Sequence, residues 1–175
     1  MSNPRDLAQW LSLLGQAFLK ADPRTIHLPE DPPPEPFALL VEEIGRAASD
    51  PQPSEIEYWR LFANPTGAPC PPWQSVWQTG QGEAPRLMGP AHHSALEWFR
   101  GYGFEPAADN EPADHLGLLL LFYARLLAAG EESAVLDAFR QDHLAWAPAY
   151  LSRLSTEARH PLLRVLADTT REVLA

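Results

Sequence analysis

The stretch Leu116–Leu127, LGLLLLFYARLL, decides the fold, because it is apolar on nearly every side and stops at Gly130. A helix that is apolar all round must be covered all round, so this segment predicts the central, buried helix of an α-helical domain. Gly130 supplies the left-handed turn that commonly ends a helix. Upstream, Pro112 marks the expected start, since proline suits a first helical turn. The longest apolar run, Leu116 to Leu121, is interrupted by Gly117 and falls far short of the roughly 18 residues that span a bilayer.

Working outward, the 19 prolines set the punctuation. They cluster at Pro29–Pro36, Pro51–Pro53 and Pro65–Pro72, and long proline-free stretches lie between the clusters. Proline breaks helix interiors but suits loops and first turns, so the clusters mark connections. The segment PEDPPPEP at 29–36 is expected as an extended surface loop, and 65–90 as a second.

Helical spacing fills the gaps. Asn3 and Pro4 predict a cap and first turn ahead of Leu7, Trp10, Leu11, Leu14 and Phe18. Phe37, Leu40, Val41 and Ile44 repeat the pattern. Ser54 and Glu57 have capping-box spacing before Tyr58, Leu61 and Phe62. Pro90 opens a helix through Phe99, closed by Gly101 or Gly103. Ser133–Trp146, Pro148–Leu154 and Pro161–Leu174 complete the set.

Val, Ile and Thr number 14 against 51 Leu and Ala, so no strand competes. The expected fold is all-α: one compact domain over residues 1–175, with seven or eight helices.

Charge and composition narrow the function. The formal net charge is -10, which repels phosphate backbones and excludes a nucleic-acid partner while favouring a basic ligand. Solubility alone also explains such a charge. One cysteine, Cys70, makes no disulfide framework, and the N-terminus lacks the pattern of a secretory signal; a cytoplasmic location is expected.

Chemistry-bearing motifs are scarce. Glu157-x-x-His160 is a single pair where a di-iron bundle needs two, and the neighbours His92 and His93 point about 100° apart on a helix. Cys70 has no activating partner nearby in sequence, and Gly80-Gln81-Gly82 lacks the following Lys-Ser or Lys-Thr of a phosphate loop. No catalytic residue, cofactor or metal is therefore expected.

Two segments stand out instead. YWRLFANPTGAPCPPWQSVW, 58–77, sets five large aromatics around a proline-rich turn, and rigid aromatics on a loop suit peptide binding. Pinning of the loop to the core explains them equally well. Trp59 and Leu61 cannot face the same side of a helix, so one aromatic is expected partly exposed. NEPADHL, 110–116, places Asp114 in the expected first turn of the central helix, where a carboxylate is favoured and a neutral His115 is preferred.

Together these segments resemble the TorD/DmsD family of redox-enzyme maturation chaperones, its DmsD branch in particular. The residues that carry the resemblance are Tyr58-x-x-Leu61-Phe62, Pro71-Pro72-Trp73-Gln74-Ser75-Val76-Trp77, Gly89, and Asn110-Glu111-Pro112-Ala113-Asp114-His115. Phe139, His143-Leu144, Trp146 and His160-Pro161 match later family positions, so the likeness runs from about Ser54 to Leu174. The segment Gln78–Gly82, where the family often has charged residues, departs from the pattern.

The resemblance implies an all-α cytosolic chaperone, not an enzyme. Such a chaperone holds the twin-arginine leader, and sometimes the body, of a molybdopterin-containing reductase or dehydrogenase until its cofactor is inserted. It implies peptide-binding roles for Tyr58, Leu61, Phe62, Pro72, Trp73, Gly89, Pro112, Asp114 and His115. The residues themselves add Trp77 and Glu111, and offer Asp114 as acceptor for a leader arginine. The twin-arginine translocase is a further implied partner. A monomer is the expected state, with domain swapping through the proline-rich hinges as the alternative. A chaperone of a non-exported metalloenzyme, which binds no leader, remains open.

Overall fold

The computed structural model describes residues 4–78, 87–106 and 111–175. Asn3, Asn110 and Gly80-Gln81-Gly82 lie outside the described residues. The all-α expectation holds: nine α-helices and no strand occur among the described residues.

The helices are α1 (Pro4–Leu19), α2 (Ala38–Ser49), α3 (Gln52–Phe62), α4 (Gln74–Trp77), α5 (Pro90–Gly101), α6 (Leu116–Ala129), α7 (Ser133–Phe139), α8 (Ala147–Glu157) and α9 (Pro161–Leu174). The one beyond the expected eight is α4, a single turn inside the 65–90 segment. That segment is therefore not all loop. The expected helix Ser133–Trp146 is divided, because α7 widens into a π-helical turn over Arg140–Leu144 before α8.

α6 is the centre. From Leu116 to Leu127 only Leu121 and Arg125 are not buried, and Gly130 at φ +74° closes the helix with its N–H on the last carbonyls. α1 lies along α6 and crosses it where two glycines meet. A Cβ on Gly15 would stand 2.8 Å from the Gly117 oxygen, and one on Gly117 would stand 2.7 Å from the Gly15 oxygen. Only bare backbone allows that approach.

α8 and α9 pair on the other side of the core, with α2 packed on α9. Phe37, at the end of the proline-rich loop, is buried against Trp10 with ring centroids 5.0 Å apart, which anchors the loop.

The expected capping box at Ser54 and Glu57 does not form. Pro51 and Pro53 start α3 earlier, so Ser54 sits in the first turn and donates to the Pro51 oxygen at 2.9 Å. Glu57 is free to hold Arg60 at 2.7 Å and the Arg159 N–H at 2.6 Å, tying α3 to the turn before α9.

Candidate peptide-binding groove

The segment 71–77 and the start of α6 are built against each other. Trp73 and His115 form an antiparallel bridge, in which Gln74 N donates to Asp114 O at 3.0 Å and Leu116 N to Pro72 O at 2.8 Å. That bridge extends the backbone at His115, so α6 begins at Leu116 and not at Pro112. His115 is the N-cap, its Nδ1 accepting from the Gly117 N–H at 3.0 Å.

Asp114 consequently lies ahead of the helix, not in its first turn. It is fully buried, and Oδ2 accepts from the Ser75 N–H at 2.8 Å, while Oδ1 has no hydrogen-bond partner. In this arrangement Asp114 faces the 71–77 segment from within and is closed to solvent.

His115 is buried, and burial pushes its pKa down to about 3. The ring is neutral, as the sequence suggests, but desolvation is the cause. With Nδ1 accepting, the proton sits on Nε2.

A second layer of bonds supports the segment from behind. Gln74 donates to the Asp142 oxygen at 2.7 Å and pairs through Oε1 with His143 Nδ1 at 2.9 Å. His143 Nε2 meets Ser94 Oγ at 3.2 Å, and burial lowers the His143 pKa against the opposing pull of Asp142 and Asp114. Trp77 packs edge-on to Tyr150 and donates to the Pro71 oxygen at 2.7 Å. His92 on α5 accepts from the Ala113 N–H at 2.9 Å. The widened turn at 140–144 thus presents Asp142 and His143 to Gln74.

In front of this frame opens a groove of about 150 Å³. Its walls are Tyr58, Phe62, Pro72, Trp73, Glu111 and His115, joined by Leu19, Ala21, Trp59 and Ala63. Six of the eleven expected residues therefore meet at one place.

The other five do not line it. Leu61 is fully buried in the core, Trp77 braces the segment, Gly89 caps α5, and Pro112 and Asp114 are buried. Trp59, an aromatic that the resemblance does not carry, is the exposed ring at the lip. Leu19 and Ala21 arrive from the end of α1, and no local pattern marks them.

Among the described residues Glu111 is the one charged residue on the walls. It is exposed, yet its apolar surroundings push its carboxyl pKa up by burial, partly offset by the Trp73 indole N–H. No hydrogen bond of ordinary geometry joins the two, and Trp73 Nε1 is buried without an acceptor. Tyr58 fixes the floor by donating to the Phe18 oxygen at 2.8 Å. The groove thus offers aromatic faces and one carboxylate, with the Trp73 N–H sealed beside it. A wider groove of about 570 Å³ between α1 and the second half of α6 contains none of the expected residues.

Residues 30–152, which include every groove-facing residue except Leu19 and Ala21, match the family model described as nitrate reductase delta subunit. The chain belongs to this family, that of the TorD and DmsD chaperones. Among curated relatives it is similar to the Tat proofreading chaperone DmsD of Salmonella typhi, 32% identical over 117 residues. That match takes in 66% of the chain and 56% of the relative, so the chain spans about half the length of the DmsD proteins it matches.

It is also similar to the chaperone protein YcdY of Escherichia coli, 28% identical over 166 residues and 84% of each chain. Among solved structures, a candidate redox enzyme maturation protein from Archaeoglobus fulgidus shares the fold, with a TM-score of 0.61 at 24% identity over 95% of this chain and 93% of that one. The TorD/DmsD relatives are named as chaperones, not as enzymes. Among the described residues no helix is long and apolar enough to cross a membrane.

Proposed function

We propose that this chain is a cytoplasmic chaperone that binds the twin-arginine leader of a molybdopterin-containing reductase or dehydrogenase and holds it while cofactor is inserted. The observation that carries the reading is the groove, where residues from α1, α3, the 72–73 segment and the 111–115 turn converge around Glu111. A leader offers guanidinium groups followed by an apolar, helix-forming stretch. A carboxylate pairs with the first, and aromatic walls cover the second. The net charge of -10 speeds encounter with a basic peptide. The named role of the DmsD relatives, Tat proofreading, points the same way.

Because Asp114 is closed to solvent, we assign the ionic role to Glu111. Asp114 then acts by holding Ser75 and the segment that carries Trp73. The chaperone works as a monomer that takes the leader and the client body, and hands the folded enzyme to the translocase.

A second reading has its own support. The YcdY match runs over more of both chains than the DmsD match, and that relative's name mentions no leader pathway. On this reading the client is a non-exported metalloenzyme bound through its mature body. Affinity capture with tagged protein from the native host separates the two. Recovery of a molybdoenzyme precursor whose isolated leader binds saturably is expected. A partner bound only through its mature body would replace the first reading with the second.

A further inference from the structure

α3 has two faces of different character. Tyr58, Leu61 and Phe62 are buried, whereas Ile56 and Trp59, one turn apart on the opposite side, are 62% and 56% exposed. Ala63, the residue that follows α3, is exposed as well. Single exposed apolar residues need no explanation, but these three form a stripe that runs into the groove, since Trp59 and Ala63 also line it. Trp59 is held edge-on against Tyr58, with ring centroids 5.6 Å apart, so its ring is braced from one side.

The far side of the groove has the opposite chemistry. Among the described residues Glu111 is the only charged one on its walls, and it lies beside Trp73. A guanidinium fits a carboxylate set among aromatic rings better than an ammonium does. The ligand that satisfies both ends is basic at one end and apolar and helical at the other.

We propose that the leader binds in one orientation, with an arginine at Glu111 and its apolar helix laid along Ile56 and Trp59 of α3 and Ala63 at its end. This rests on the leader-chaperone reading and adds to it a polarity and a second contact surface. Charge argues against a second copy of the chain on this stripe: with 23 acidic and 13 basic residues, two copies repel.

The test is calorimetric titration of the full chain with a synthetic peptide carrying two adjacent arginines followed by a Leu/Ala-rich stretch. Three protein variants are used: Trp59→Ala, Ile56→Ser and Glu111→Gln. All three sites are exposed, and thermal melts confirm that the variants fold.

Trp59→Ala is expected to weaken binding about 30-fold, as for an aromatic anchor, and Ile56→Ser severalfold. Glu111→Gln is expected to cost about tenfold, the loss of one charge-assisted contact. Replacing the peptide arginines by glutamine should abolish the Glu111 effect and leave the Trp59 effect intact. Trimming the leucines to alanine should do the reverse.

Unchanged affinity in Trp59→Ala and Ile56→Ser while the natural chain binds would overturn the stripe and leave the leader reading standing. Coupling of Trp59 to the arginines would overturn the orientation. Failure of the natural chain to bind the peptide at all would overturn the leader reading and this inference together.

Discussion

Gly117→Ala is expected to destabilise the chain by about 3 kcal/mol, and Gly15→Ala by a similar amount, read from urea denaturation with the slope unchanged. The reason is steric. The new Cβ at 117 would meet the Gly15 oxygen and the Leu19 Cγ at 2.7 Å, and the one at 15 would meet the Gly117 oxygen at 2.8 Å. Backbone atoms in packed helices cannot yield as a side-chain tip can, so α1 must move off α6.

Helix propensity alone predicts the opposite sign for Gly15, a gain of about 1 kcal/mol for alanine over glycine inside a helix. The sign therefore decides between propensity and packing. Gly117 also touches the site, since its Cβ would press on His115 Nδ1 at 3.2 Å. Its variant should lose peptide affinity as well as stability, while unchanged stability in both variants would mean the helices cross differently.

Asp114→Ala is expected to cost about 2 kcal/mol, because the part-buried Ser75 N–H loses its carboxylate acceptor. The consequence is local before it is global. Ser75 sits in α4, directly after the Trp73–His115 bridge, so the change frees the segment that forms one wall of the groove. Asp114→Asn keeps an oxygen for the Ser75 N–H and should recover most of the stability and the peptide affinity. If Asn instead behaves like Ala while stability is retained, the charge itself acts on the ligand and the positioning role is wrong.

Much of the fold is legible because α6 is so apolar that it can only be central, and because the prolines fall where the chain turns. The helix starting at Pro161 and the stop at Gly130 follow from single residues with fixed backbone preferences. What local patterns miss is tertiary in origin. The start of α6 shifts from Pro112 to Leu116 because a bridge to Trp73, distant in sequence, extends the backbone at His115.

The capping box fails for a nearer reason, since Pro51 and Pro53 begin the helix first. At the site, the motif residues divide into those that face the groove and those that hold it. Sequence order cannot separate Glu111 from Asp114, three residues apart, although one is exposed and the other sealed. Leu19 and Ala21 join the walls only because α1 crosses α6 at two glycines.

The most direct test of the central claim is amide hydrogen exchange of the full chain with and without a synthetic twin-arginine leader peptide. The account predicts slowed exchange confined to residues 19–21, 56–63, 72–77 and 111–117. Protection centred instead on the groove between α1 and the second half of α6, or no protection at saturating peptide, would contradict it.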